Sequence, residues 1–551
     1  MRSLNSLKLA LPLLACLSPV VAGSNTVVDL GYAIYQGTFN STLNRTDFLA
    51  LRYAAPPTGN LRFQAPAPPL NMRSQGIQLA DAQPNECFNA GQGNSISTPF
   101  RGNSSISSSS ATTRLAKRQT AETEDCLFLN VFVSGEVNPK ARMPVVFWIH
   151  GGGYVAGGAT GNPGEDLIPE AGGGIVVVVI QYRLGVFGFL PGSEVKKNGA
   201  LNAGLLDQQA ALKWVQKNIH LFGGDSERVT IWGESAGAGS VLQHMVAHGG
   251  NTQPPLFRNA ITSSTFLPSQ YRFDDDVPEQ LYSEFVQSTG CANATNTFQC
   301  LVGVDAGTLE GANVDINESG FFGTFVLVPV VDGELIVERP IETILKGRLN
   351  AKHYLGMTNT FEGRIFVNSA FSSQMDLTNY VTQLFPHFND KQIQDTVAQY
   401  TGIGLDSVND QAVGIMGESI FICPTYALLS AFQGQAHKGL FAIPPGDHGN
   451  DVVYYFPGTT GPPFNNAQFS ASFDGGFLGF AKTDDPNNRV VGNIITPNWE
   501  TFGGIRANQG HTEMLFNRTE DLQPDIRSFT TDSALLARCD FWRSVAASVP
   551  Q

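Results

Sequence analysis

The chain has 551 residues, of which 42% are hydrophobic and 15% charged, a globular composition long enough to bury a large core. Its formal charge of −14 argues against nucleic acid or an anionic membrane surface as the main partner. Leaving out the first 22 residues removes Arg2 and Lys8 and no acidic residue, which takes the balance to −16.

In chain order, Arg2 and Lys8 precede a short apolar stretch over residues 9–21, and Val20-Val21-Ala22 ends in a small residue. This predicts a secretory signal over 1–22, followed by one domain over 23–551. About thirteen apolar-rich residues are too few to cross a bilayer, and no later stretch approaches 18 apolar residues, so no membrane span is expected. Of the seven cysteines, Cys16 lies in the signal. The six that remain suggest three disulfides in an oxidising compartment. Sequons at Asn40, Asn44, Asn103, Asn293, Asn317 and Asn517 fit a secreted glycoprotein.

Residues 27–39 and 48–54 alternate like edge strands and run into the turn Pro56-Pro57-Thr58-Gly59. Residues 91–123 are rich in Ser, Gly, Thr and Asn and lack apolar periodicity, which predicts a long, mobile polar loop. It lies between Cys87 and Cys126 and contains the dibasic pair Lys117-Arg118, read as solvated or as a protease site. Strands are predicted at 127–133, 144–149 and 175–182, then an amphipathic helix over 206–222 ended by Gly223-Gly224-Asp225. A strand at 229–232, a helix from Ser240 and a strand near 260–262 follow. Strands alternating with helices predict a mainly parallel sheet with helices on both faces. Residues 270–435 read as mostly helical insertions over the C-terminal edge of the sheet, with 326–331 extended. Further strands are expected at 352–357 and 439–443.

The chemistry centres on Gly233-Glu234-Ser235-Ala236-Gly237, a Gly-x-Ser-x-Gly nucleophile elbow between strand and helix. Any Cβ at Gly233 or Gly237 would collide across so sharp a turn. The turn aims the first N–H groups of the helix at the space beside the Ser235 hydroxyl.

Serine needs a base, and the base needs an orienting carboxylate. Strand–elbow–helix sites run Ser, acid, His along the chain. His448, in the turn-rich Pro444-Pro445-Gly446-Asp447-His448-Gly449 after an apolar strand, fits the base. Glu362, just beyond the strand at 352–357, fits the acid. His437 reads as solvent-exposed, and His511 has no strand before it. The glycines of His150-Gly151-Gly152-Gly153 follow an apolar strand and let backbone N–H groups approach a substrate carbonyl, with Ala236 N–H as their partner. Loss of one such donor typically costs about 3–4 kcal/mol of transition-state stabilisation. His244 and His248 are four apart but lack a third ligand, so they read as surface residues; neither metal nor cofactor is expected.

These motifs together resemble the type-B carboxylesterase/lipase family, which contains cholinesterases and fungal lipases of the α/β-hydrolase fold. The resemblance also rests on Arg52-Tyr53-Ala54, Glu124-Asp125-Cys126-Leu127, Gln181-Tyr182-Arg183-Leu184-Gly185, Gly204-Leu205-Leu206-Asp207-Gln208 and Phe222-Gly223-Gly224-Asp225. It implies a Ser235, Glu362, His448 triad, an oxyanion hole from Gly152, Gly153 and Ala236, and bridges Cys87–Cys126, Cys291–Cys300 and Cys423–Cys539. One departure is Phe361, where the family usually has an acidic residue before the triad acid; altered packing is expected there. The five tryptophans, at 148, 214, 232, 499 and 542, all lie outside the 87–126 loop, where cholinesterases carry a choline-binding Trp. That loop is too polar for a hydrophobic interfacial lid. The expectation is a secreted serine carboxylesterase acting on small-molecule or lipid-like esters. A triacylglycerol lipase and a non-catalytic cholinesterase-like binding protein are the alternatives.

Overall fold

The structure, a computed structural model, describes residues 26–101, 121–369, 375–503 and 511–551. The predicted signal, Asn103 and Lys117-Arg118 lie outside the described residues. The strands are β1 (Val27–Asp29), β2 (Ile34–Gln36), β3 (Thr38–Asn40), β4 (Arg45–Arg52), β5 (Ile77–Leu79), β6 (Phe128–Ser134) and β7 (Met143–Ile149). They continue as β8 (Val176–Ile180), β9 (Gly224–Glu234), β10 (Asn259–Ser263), β11 (His353–Asn359), β12 (Ala436–Phe441), β13 (Thr512–Arg518) and β14 (Pro524–Thr530). The helices needed below are α1 (Ala203–Asn218), α2 (Ala236–Gly250), α3 (Ala306–Glu318), α4 (Val408–Gly417), α5 (Cys423–Ala431), α6 (Ala467–Thr483) and α7 (Ser533–Val545).

Eleven strands form one sheet in the order β14-β13-β12-β11-β10-β9-β7-β8-β6-β4-β3. From β13 to β8 every neighbouring pair is parallel. Antiparallel β14 closes one edge, and antiparallel β6, β4 and β3 the other. The centre of the sheet is buried on both faces, which is why β7 and β8 are almost uninterrupted apolar runs. Val145, Phe147, Val176, Val178 and Ile180 join the larger core on one face. Val146, Trp148, Val177 and Val179 alternate into the smaller, aromatic core on the other, against Phe473, Phe477 and Phe480 of α6.

The sequence motifs meet one another across this sheet. Arg183 makes a bidentate, fully buried ion pair with Asp207 at 2.7 Å. Gln181 donates to the carbonyl of Cys126 at 2.9 Å, and Tyr53 donates its hydroxyl to the carbonyl of Gln181 at 2.6 Å. Arg52 pairs with Asp125 at 2.6 Å while its guanidinium lies over the Phe128 ring. The bridges are Cys87–Cys126, Cys291–Cys300 and Cys423–Cys539.

Several expectations need correction. The stretch 27–39 is three short strands, and β1 and β2 leave the main sheet to form a small one with β5. The polar stretch 91–123 is not loose at its start: the N–H groups of Gly93, Asn94 and Ser95 donate to the carbonyls of Thr324, Glu318 and Gly320. The helical run Val408–Ala431 is long and apolar enough to cross a membrane, contrary to the reading that no such stretch exists. However, 83% of its most apolar window is buried inside the protein. His437 lies on β12, not before a strand, and is buried, and burial depresses its imidazole to about 4. His244 is buried as well, with Nε2 3.0 Å from Gln208 Oε1, whereas His248 is exposed as expected, its Nδ1 3.1 Å from the Glu334 carbonyl. The Asn317 side chain is buried in α3, and its amide nitrogen donates to the Asn313 carbonyl at 2.8 Å. Asn44 and Asn293 are exposed, and Asn40 and Asn517 half-buried.

Candidate active site

β9 ends at Glu234, and α2 begins at Ala236. Ser235 joins them at φ 56° and ψ −124°, a conformation that L-residues rarely adopt and that the surroundings must impose. The imposing contacts are visible at the flanking glycines. A Cβ at Gly233 would sit 2.4 Å from the Gly237 carbonyl carbon, and one at Gly237 would sit 2.1 Å from the Ile149 carbonyl oxygen. The Ser235 N–H donates to the Ser263 carbonyl at 2.9 Å and ties the turn to the end of β10. Ala236 is the first residue of α2, so its N–H has no carbonyl one turn back.

The glycine run follows β7. A Cβ at Gly151 would lie 3.0 Å from the Ser235 Cβ, so this backbone runs directly against the elbow. Gly152 and Gly153 have φ of 100° and 65°. The Gly152 carbonyl is turned away, accepting from Val155 and Ala156 N–H at 3.0 and 2.9 Å. His150 anchors the run: its ring stacks on Tyr182 with centroids 4.4 Å apart, and the Tyr182 hydroxyl donates to its carbonyl at 2.8 Å. Burial depresses the His150 imidazole to about 4, so it is neutral at physiological pH.

Glu362 and His448 come together from the loops after β11 and β12. Glu362 Oε2 is 2.6 Å from His448 Nδ1. The other oxygen, Oε1, accepts from the Ser264 hydroxyl at 2.8 Å and the Asn359 N–H at 2.6 Å. The two loops are also joined by Phe361 N–H donating to the Gly446 carbonyl at 2.8 Å and by Arg364 with Asp447 at 2.9 Å. The Phe361 side chain faces outward under the Arg364 guanidinium, 3.8 Å from its ring centroid. The departure at this position therefore changes surface packing and leaves the Glu362–His448 contact in place.

His448 has a second carboxylate at its other nitrogen. Nε2 lies 3.3 Å from Glu234 Oε1 but lacks hydrogen-bond geometry. Burial alone would depress the imidazole; the charges of Glu234 and Glu362 outweigh it and raise His448 above its ordinary value. Glu234 is pushed up to about 8 by burial, against the pull of His448. Asp451 adds a third buried carboxylate, raised by burial and held by Asn359 Nδ2 and the Tyr455 hydroxyl, each at 3.0 Å. The sequence reading missed Glu234, Ser264, Asn359, Asp451 and Tyr455. Ser264 had a usable signal, since it too stands just past a strand of the parallel sheet.

An apolar cavity opens beside these groups, with Phe266, Phe325, Phe366 and Phe421 in its wall. Phe366 and Phe421 pack on the His448 ring with centroids 5.1 and 4.4 Å away. Phe325 covers Gly153 so closely that an added Cβ would meet its ring at 2.0 Å. Phe325, Phe366 and Phe421 come from the 270–435 region.

A parallel sheet whose strand–serine–helix turn faces a buried carboxylate–histidine pair across the strand ends is the architecture of an α/β-hydrolase. The solved structure of Aspergillus niger EstA superposes with a TM-score of 0.81 at 28% identity, covering 95% of this chain and 99% of that one. The chain belongs to the carboxylesterase family, whose profile matches residues 24–542, and it is a hydrolase acting on ester bonds. Among its relatives, carboxylesterase patB of Aspergillus clavatus is 29% identical over 94% of this chain and 96% of that protein. Lipase 2 of Geotrichum candidum is 30% identical over 88% and 92%. Secreted lipase 1 of Botryotinia fuckeliana is 30% identical over 80% and 81%.

Proposed function

We propose that the protein is a secreted serine carboxylesterase, a single α/β-hydrolase domain over 23–551, with Ser235 as nucleophile, His448 as general base and Glu362 as its orienting acid. The observation that carries this reading is the 2.6 Å Glu362–His448 Nδ1 contact, with Nε2 left without a hydrogen bond. A carboxylate on Nδ1 keeps the proton there and leaves the Nε2 lone pair to accept the Ser235 hydroxyl proton. The serine oxygen then attacks the ester carbonyl. The oxyanion takes hydrogen bonds from the N–H groups of Gly152, Gly153 and Ala236. His448 returns its proton to the departing alcohol. It next takes a proton from water as the water oxygen attacks the acyl-serine carbonyl, and returns that proton to the Ser235 oxygen as the acyl–oxygen bond breaks and the acid leaves. The three disulfides support an oxidising, extracellular destination.

A triacylglycerol lipase is the second reading, favoured by the apolar cavity and by relatives named as lipases. Hydrolysis of p-nitrophenyl acetate by the parent and by Ser235→Ala tests the triad. The variant should lose activity by at least about 10⁴-fold, and parent-like turnover would overturn the assignment. Rates on tributyrin across its solubility limit separate esterase from lipase: a jump once an interface forms selects the lipase.

A further inference from the structure

Besides the apolar cavity next to His448 there is a second one between α5 and α7, lined by both cysteines of the Cys423–Cys539 bridge. Among the described residues, Gln551 alone lines both. It is buried, and its side-chain amide ties two segments together, donating to the Leu267 carbonyl at 2.7 Å and the Ser419 carbonyl at 2.9 Å. Its neighbour Pro550 accepts from the Gln270 N–H at 2.7 Å, and Leu267 N–H donates to the Ile420 carbonyl at 2.9 Å. The tied segments carry Phe266, Ile420 and Phe421, which line the first cavity, and Phe421 also packs on His448. The second cavity is lined by Leu429, Trp542 and Ala546 and also by Ser430, Asp540 and Arg543.

We propose that Gln551 is the stop that sets how long an ester chain the protein accepts. This deepens the esterase reading and rests on it, because the chain in question belongs to an ester held at Ser235. While the glutamine is in place, a chain running down the first cavity ends against it. With the side chain shortened, the two cavities join and further methylenes enter apolar surroundings. Each methylene so buried is worth about fourfold in kcat/KM.

The test compares the parent with Gln551→Ala and Gln551→Met. Two series are used: p-nitrophenyl esters from acetate to palmitate, and alkyl acetates from ethyl to decyl. Both variants lose the two hydrogen bonds, so any loosening is common to them, and only alanine also removes the bulk. In one of the series Gln551→Ala should keep gaining past the length at which the parent levels off, reaching at least about tenfold over it two carbons further on. Gln551→Met should stay within about threefold of the parent throughout. Superimposed length profiles for parent and Gln551→Ala in both series would overturn the proposal. An equal extension by Gln551→Met would also overturn it, since the hydrogen-bonded tie would then set the limit. If the two variants fail to hydrolyse even acetate, Gln551→Asn, one methylene shorter with its amide kept, carries the same test with a smaller extension. The two failures are distinguishable. If Ser235→Ala acts like the parent, the esterase reading falls and the stop falls with it. If Ser235→Ala is inactive and the profiles coincide, only the stop is wrong.

Discussion

His448 sits among three carboxylates, and their division of labour decides how its reactivity depends on pH. Glu362 holds Nδ1 through a short hydrogen bond and is itself held by Ser264 and Asn359, which fits the orienting role proposed for it. Glu234 touches Nε2 by charge alone, 3.3 Å away. Burial works to depress His448, and Glu234 is the largest of the charges that raise it. A base must be neutral to accept a proton, so under the proposed triad the acid limb of kcat/KM follows His448. Glu234 is itself pushed up to about 8, so the charge that raises His448 is the one it carries when His448 holds the proton; Glu234→Gln removes that charge and lets burial weigh more. The acid limb should therefore move to lower pH, and the ratio of activity at pH 5 to that at pH 8 should rise. A pH profile of p-nitrophenyl acetate hydrolysis reads this directly. A limb that stays in place would mean that Glu234 keeps its own proton throughout and lends His448 no charge.

At the scale of elements, what was legible follows the strength of the local signal. β7, β8 and β10 are apolar runs bounded by turns, and their positions agree with expectation to within a few residues. The elbow was legible because only one backbone path fits Gly233, Ser235 and Gly237. Glu362 and His448 were legible because both stand just past parallel strands. The secondary structure after the His448 loop was not. α6 carries Phe469, Phe473, Phe477 and Phe480 on one face, but residues 472–481 are buried all round and include three glycines, so it has no polar stripe and little helix propensity to reveal it. β14 is half exposed and pairs only with β13 at the sheet edge, a register that tertiary packing alone sets. His437 misled because β12 starts earlier than its apolar residues suggest. The aromatic cavity wall was hidden because Phe266, Phe325, Phe366 and Phe421 are far apart in the chain.

α6 also holds a stability switch. Asp474 is buried and neither of its carboxylate oxygens has a partner. Burial and, after it, the charge of Glu170 hold the group well above the ordinary carboxylate range. The unfolded chain releases this proton near pH 4, while the folded chain keeps it. The folded state thus binds more protons, and stability falls as pH climbs from about 4 towards the folded value. Asp474→Asn removes that dependence. Calorimetry should show the variant more stable than the parent, with a larger gain in Tm at pH 8 than at pH 5. An equal gain at both values would sink the assignment of a retained proton.

In the whole molecule, the candidate site is gathered at the C-terminal ends of β7, β9, β11 and β12, and the insertions supply its walls. The sheet is held by burial on both faces, but the wall behind His448 depends on a long-range tie. Cys423 begins α5 and Cys539 lies in α7, 116 residues further along the chain. Closing a loop of that size removes about 4–5 kcal/mol of chain entropy from the unfolded state. The stabilisation is also placed locally, because α5 continues from the π-helical turn Glu418–Ile422 that presents Ile420 and Phe421 to the cavity. A paired Cys423→Ser and Cys539→Ser variant should lose about 3–5 kcal/mol of stability. It should also loosen at the cavity wall before the sheet opens. In a guanidinium titration on a Trp542→Phe background, which removes the reporter on α7, its esterase activity should disappear at a lower concentration than its tryptophan fluorescence transition, because Trp148 and Trp232 report on the central sheet. The parent should lose both together. Coincident transitions in the variant would mean that α5 and α7 stay docked through packing and the Glu418–Arg538 ion pair alone, and that the bridge stabilises the fold without guarding the site.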